Sequence, residues 1–209
     1  MSHGLMPNEV AEGTRRGLAP IARGLHRAGI TANAVTVIGV LITIAGSALL
    51  ASGQPLAALV VLVAGALSDT LDGQLAKAAG GGTTFGAFLD STLDRVSDAA
   101  LACGAAALAA SNGDPILLWS ALIGLVASFL VSYIRAKAES MGATAAVGLM
   151  PREARLMVLL IGVGLWGVVG LYQLFVAVFA AVALLSVVTL FQRIAFVARE
   201  LNLTKKGTR

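Results

Sequence analysis

Charge is scarce in this chain of 209 residues: 12% of it is Asp, Glu, Lys or Arg, against 57% hydrophobic residues. No soluble domain of this size calls for so apolar a sequence. Several runs exceed the roughly 18 to 20 apolar residues that cross a bilayer, which points to a polytopic membrane protein. Cysteine is almost missing as well. The single Cys103 lies in an apolar stretch, which excludes a disulfide framework and reads as a small buried side chain with no redox role. Residues 1–30 hold no short apolar core followed by a small-residue cleavage site, so no cleavable signal is expected. A second domain and an internal repeat are lacking too. Finally, Lys and Arg are absent from three short connections, 51–54, 111–114 and 169–171. Every basic residue falls on the other side, in the N-terminal segment, at Lys77 and Arg95, across 135–155, and from Arg193 onward.

The apolar runs divide into an all-α integral membrane protein with six transmembrane helices, near 33–52, 55–78, 85–110, 115–140, 152–169 and 172–199. Proline or a capping residue opens several of them, and glycine or polar turns close them. An N-terminal segment, 7–28, mixes Arg15, Arg16, Arg23 and Arg27 with Val10, Leu18, Ile21 and Leu25, the pattern of an amphipathic helix lying on an anionic membrane surface. The expected organisation is therefore an interfacial segment at 1–32, a transmembrane catalytic domain at 33–200 and a basic cytoplasmic tail at 201–209. The positive-inside rule places both termini in the cytoplasm of a cell-membrane protein. The net charge of +4 is then a topology signal and an anionic-lipid signal, and gives no ground for nucleic-acid binding.

Against that apolar background stand four carboxylates, Asp69, Asp72, Asp90 and Asp94. An acid inside a membrane span is costly unless paired, solvated or bound to metal, so it marks a functional site by default. Spacings of three and four place the members of each pair on one helix face. Glycines 80 to 82 suit a tight turn between antiparallel helices. At 1.5 Å per residue, Asp69 lies about 12 Å from Lys77 and Asp90 about 9 Å beyond Thr84, so the pairs sit at similar depth. Four converging carboxylates require cations, and oxygen-only ligands select hard ions such as Mg²⁺ or Mn²⁺. Two such ions make a clamp for phosphate chemistry. Spacing alone leaves open a proton or ion pathway through a transporter, or acids solvated at the interface. The acids lie near one face and the spans do not divide into similar halves, both of which argue for an enzyme.

The run Asp69-x2-Asp72-Gly73-x2-Ala76-Lys77-x8-Gly86-x3-Asp90-x3-Asp94 resembles the signature of the CDP-alcohol phosphotransferase family, with Lys77 where the family has arginine. The resemblance implies that Asp69, Asp72, Asp90 and Asp94 hold two divalent metals on the pyrophosphate of a CDP-linked lipid. It also implies that Gly73, Lys77 and Thr83 line the nucleotide pocket, and that Asp94 is the general base. Lysine keeps the charge of arginine but loses its planar fork. Thr31 to Thr36 resembles a segment that family members carry before their first span. It implies cytidine contacts for Asn33 and Thr36, while Asn33 equally suits a helix cap. Asp98 continues the spacing but lies outside the signature and reads as a structural polar contact. Six spans and a cytoplasmic site agree with the family's architecture, and the resemblance implies a homodimer.

A second set of residues bears on the acceptor. Ser132 and Arg135 share a helix face, as do Arg152 and Arg155, and Gln192-Arg193 falls on the same side as the acids. Arginines converging with a hydroxyl hold a phosphate monoester, which implies an acceptor already bearing phosphate. For Lys137 and Arg199 the simpler reading is a flank touching lipid head groups. The segments 132–139, 151–155 and 192–193, with the run from Asp94 to Asp98, are similar to those of actinobacterial phosphatidylinositol phosphate synthases. That similarity implies CDP-diacylglycerol as donor and inositol 1-phosphate as acceptor. The alternative is a phosphatidylglycerophosphate synthase acting on glycerol 3-phosphate.

Overall fold

The computed structural model describes residues 8–143, 145 and 147–207. The side chains of Val10, Arg15 and Arg16 and the ends of the expected terminal segments, 1–7 and 208–209, lie outside what it describes. Among the described residues there are seven helices and no strand: α1 (Asn8–Arg27), α2 (Ala32–Ala51), α3 (Pro55–Ala78), α4 (Thr84–Asn112), α5 (Pro115–Ser140), α6 (Arg152–Val169) and α7 (Tyr172–Gly207).

Local chemistry sets most of these limits. Pro55 and Pro115 open α3 and α5 at the first helical position, where the missing N–H costs nothing. Gly113 and Gly170 close α4 and α6 with φ of 65° and 78°, a left-handed conformation that glycine adopts without strain. Thr31 caps α2 by accepting from the Ala34 N–H at 3.2 Å. The cap expected at Asn33 therefore belongs to Thr31, because only a residue outside the first turn can turn its oxygen back on those amides. α7 runs through 201–207 without a break, since Leu-Asn-Leu-Thr-Lys-Lys contains no helix breaker before Gly207.

Four helices, α2, α3, α5 and α7, are long and apolar enough to cross a membrane. α4 and α6 carry ionisable residues in their length: Asp90, Asp94, Arg95 and Asp98 in the first, Arg152, Glu153 and Arg155 in the second. Leu41, Val60, Trp119, Leu184 and other large apolar side chains face outward, whereas small residues make the closest helix contacts. A Cβ built on Gly104 would lie 2.5 Å from the Ser47 carbonyl oxygen, and one on Gly167 would lie 2.9 Å from the Leu56 nitrogen. Small residues let backbones approach where no water drives the helices together. Cys103 is exposed rather than buried. It sits on the outward face of α4, where an apolar environment costs a thiol nothing.

The helices alternate in direction. The connections at 52–54, 113–114 and 170–171 lie at one end, where the Tyr172 hydroxyl donates to Asp114 at 3.0 Å. The core formed by Leu50, Leu62, Leu108, Leu117, Val163 and Phe175 fills that half. The acids and arginines gather toward the other end. There α1 packs on α3 through Ala22, which is buried with Val35 and Leu75. α3 and α4, although consecutive, scarcely touch, because α2 packs against both. The turn between them uses Gly80 and Gly81 at φ of 93° and 123°, which carry the chain across α2.

Candidate active site

A gap between α3 and α4 places carboxylates opposite one another with α2 on one side and α6 on the other. One carboxylate oxygen from each of Asp69, Asp90 and Asp94 lies within 4.8 Å of the other two. Three hard oxygen donors from two helices are the chemistry that Mg²⁺ or Mn²⁺ accepts. Asp72 is not in that group. It is buried, and its Oδ2 accepts from the Thr36 hydroxyl of α2 at 2.6 Å. The three-residue spacing does put it on the same side of α3 as Asp69, and the donor on α2 fixes the orientation of its carboxylate.

Two cavities meet at these acids. The first, about 540 Å³, is lined by Asn33, Thr36, Asp72, Gly73, Thr83 and Asp90 among others. Thr83 caps α4 by accepting from the Gly86 N–H at 2.9 Å. A Cβ on Gly86 would come within 3.1 Å of Asn33 Oδ1, so glycine there lets the Asn33 side chain lie against α4. Gly73 has open space where a Cβ would be. Lys77 is exposed and is not part of this lining. His26, in the last turn of α1, does join it. Sequence reasoning missed this residue, although its place just before Thr31 in a basic final turn was a usable signal.

The second cavity, about 650 Å³, is lined by Asp94, Ser132, Arg135, Arg152, Arg155 and Arg193, so the structure brings the second residue set together except for Gln192, which instead accepts from the Leu149 N–H at 3.2 Å. Arg95 and Tyr133 also line it, and both were overlooked as site residues. The four arginines are held differently. Arg135 pairs with Glu139 one turn on, at 2.9 Å. Arg155 is buried and pairs with Asp98 at 2.8 Å, and Ser128 donates to the same Asp98 oxygen at 3.2 Å. Asp98 is thus the structural contact its place outside the signature suggested. Arg193 donates to the carbonyls of Val147 and Val131, both at 2.8 Å, and so ties α7 to α5 and to the segment at Val147 ahead of α6. Arg152 reaches into the acids, 2.9 Å from Asp94 Oδ1 and 3.4 Å from Asp69 Oδ1.

This arrangement can hold two anionic groups side by side, one over a set of acids that could bind a metal ion and the other against guanidinium groups. The family model for CDP-alcohol phosphatidyltransferase matches residues 29–192. Phosphatidylinositol phosphate synthase of Mycobacterium tuberculosis is 43% identical over 147 residues, covering 69% of this chain and 68% of that protein. A crystal structure of the Mycobacterium tuberculosis enzyme with CDP-DAG bound superposes with a TM-score of 0.82 at 38% identity, covering 87% of this chain and 94% of that one. Another, in complex with manganese and citrate, gives a TM-score of 0.81 at 37% identity over 86% of this chain and 88% of that one. The run of acids, the two cavities that meet at it and these similarities identify the chain as a member of the CDP-alcohol phosphatidyltransferase family.

Proposed function

We propose that this enzyme transfers the phosphatidyl group of CDP-diacylglycerol to inositol 1-phosphate, releasing CMP and forming phosphatidylinositol phosphate. The observation that carries the reading is the position of the acids: Asp72 and Asp90 line one cavity, and Asp94 lines the other beside Arg152. Relatives named for this reaction, one of them solved with CDP-DAG bound, support the same choice of substrates.

The first cavity takes the cytidine and pyrophosphate, with Asn33, Thr36, Gly73 and Thr83 against them. Lys77, one turn beyond Gly73 on the same helix face, reaches the nucleotide from the rim. Asp69, Asp72, Asp90 and Asp94 hold two divalent ions, Mg²⁺ or Mn²⁺. Three of these acids already converge, and the relative solved with manganese supports the choice of metal. When bound, the ions neutralise the negative charge that develops on the leaving phosphate.

The second cavity takes inositol 1-phosphate, its phosphate held by Ser132, Arg135, Arg152, Arg155 and Arg193. Asp94 lies at the boundary and removes the proton of the acceptor hydroxyl. An alcohol is a poor nucleophile until that proton is taken. The hydroxyl oxygen then forms a bond to the lipid-side phosphorus as the bond from that phosphorus to CMP breaks.

In the bilayer, α2 to α7 make six spans and α1 lies in the interface, with both termini and the site on the cytoplasmic side of the cell membrane. Residues 1–32 form the interfacial segment, 33–200 the catalytic domain and 201–209 the cytoplasmic tail. Two copies associate as a homodimer. The decisive assay is CMP release from CDP-diacylglycerol and Mg²⁺ or Mn²⁺, with inositol 1-phosphate, glycerol 3-phosphate or free inositol as acceptor. Turnover is expected with inositol 1-phosphate and is abolished in Asp94→Asn. Turnover with glycerol 3-phosphate in its place would overturn the acceptor assignment.

A further inference from the structure

Arg152 differs from the other arginines of the second cavity in what it touches. It is the first residue of α6, directly after Pro151. From there its guanidinium meets three carboxylates on two helices: Asp94 at 2.9 Å, Asp69 at 3.4 Å and Asp98 at 3.6 Å. Two of these three belong to the converging set of metal-ligand candidates. Among the described residues the partners of Arg155, Arg135 and Arg193 lie outside that set: Asp98, Glu139 and backbone carbonyls. Arg152 also carries the one buried side-chain polar atom without a hydrogen-bond partner among the described residues, its Nε. A guanidinium spread over several carboxylates, with a donor left over, is not using its planar fork. The Arg152 side chain nevertheless lines the second cavity, where a phosphate would offer that fork two oxygens.

We infer that Arg152 is a place-holding cation, which neutralises the acids while no metal is bound and transfers to the acceptor phosphate when a divalent ion takes those acids. The inference rests on the metal and acceptor assignments proposed above. Its physical basis is competition for the same oxygens. Asp94 Oδ1 cannot be saturated by the guanidinium and also serve a divalent cation, and the two positive charges repel at such range. Released from Asp69 and Asp94, Arg152 keeps Asp98 within 3.6 Å, and the acceptor phosphate is the anion that offers two oxygens to its fork. Coupling between two sites is reciprocal in binding free energy. Metal therefore raises affinity for the acceptor, and the acceptor raises affinity for metal by the same factor.

Mn²⁺ binding to the purified full chain, followed by the electron paramagnetic resonance signal of the free ion, tests this without turnover. Inositol 1-phosphate, with its own weak Mn²⁺ binding subtracted in a protein-free titration, is expected to tighten Mn²⁺ binding about fivefold or more. Arg152→Gln is expected to bind Mn²⁺ about tenfold more tightly than the unaltered protein, and inositol 1-phosphate should no longer change that affinity. Arg152→Lys keeps a cation at the acids and stays within about threefold of the unaltered protein, which guards against a folding defect in the Gln variant. Equal or weaker Mn²⁺ binding by Arg152→Gln would overturn the inference, as would a response to inositol 1-phosphate that survives in that variant. If the unaltered protein bound no Mn²⁺ at all, the metal assignment itself would fall, a result distinct from these.

Discussion

Replacing Gly73 by alanine adds one methyl group to α3 at a point where a Cβ meets no heavy atom within 4 Å. Gly73 is not among the glycines with positive φ, so alanine adopts the same backbone without strain. The helix gains about 0.8 to 1 kcal/mol in propensity. For a chain of this size that corresponds to a rise of roughly 2 to 4 °C in the unfolding midpoint. The same methyl projects into the cavity of about 540 Å³ that the proposed function assigns to the nucleotide. Forcing a methyl against a bound ligand costs about 1 to 3 kcal/mol, by analogy with overpacking in cores. A loss of that size lowers kcat/KM roughly 5- to 160-fold, mostly through KM for CDP-diacylglycerol. Stability and activity therefore move in opposite directions. Thermal unfolding in detergent, followed by the fluorescence of Trp119 and Trp166, reads the first. CMP release against CDP-diacylglycerol concentration in mixed micelles reads the second. A raised midpoint with kcat/KM within about threefold of the unaltered enzyme would show that the cavity is not the nucleotide site.

Two further substitutions probe the frame around the site. Gly104→Ala places a Cβ 2.5 Å from the Ser47 carbonyl oxygen, a backbone atom that cannot yield, so α2 and α4 must part. Overpacking outweighs the propensity gain by about 1 to 2 kcal/mol, and the unfolding midpoint falls by roughly 2 to 8 °C; an unchanged midpoint would contradict the close packing. Thr36→Val keeps the shape of the side chain but removes the donor to Asp72 Oδ2 at 2.6 Å. A hydrogen bond to a charged group contributes about 1.5 to 3 kcal/mol, so the Mn²⁺ concentration for half-maximal activity rises about tenfold or more in Thr36→Val and little in Thr36→Ser. Identical Mn²⁺ dependence in the two variants would rule out a role for this pair in setting Asp72.

Much of the framework is legible in the sequence because its signals are local. Pro55 and Pro115 announce helix starts, Gly113 and Gly170 announce ends, and the expected spans agree with the helices to within a few residues at most limits. The acid signature is legible because its spacing is a property of one helix at a time. What the spacing does not carry is the partner across the gap. Asp72 turns to Thr36 because α2 packs against both α3 and α4, and nothing in the stretch from 69 to 94 tells that a third helix is there. Glycines 39, 46 and 65 were the available hint, since each sits where α2 and α3 come close. The arginines were legible as a group but not in their partners. Whether a long side chain folds onto a carboxylate or into a cavity depends on competing contacts a few ångströms apart, and Arg152 and Arg193 settled on contacts the sequence does not display. Cys103 faces outward for a related reason: hydrophobicity distinguishes membrane from water but does not separate lipid from protein core.

Both substrates of the proposed reaction are anions, and the transfer requires them to approach within bonding distance. A site lined by one kind of charge handles that poorly. Guanidinium groups on every side would hold both phosphates but leave no base for the acceptor hydroxyl, and carboxylates alone would repel both. The chain divides the task between its helices. α3 and the first half of α4 supply acids, which in the proposed reaction meet the donor pyrophosphate only through cations. α5, α6 and α7 supply Arg135, Arg152, Arg155 and Arg193, which in that proposal hold a phosphate directly. Asp94 is where the two arrangements meet, since it belongs to the converging acids and also lines the arginine cavity. A general base has to stand next to the hydroxyl it deprotonates and the phosphorus that hydroxyl attacks. Among the four signature acids Asp94 alone lines the second cavity, which is why the proposed mechanism gives the role of base to it rather than to Asp69, Asp72 or Asp90.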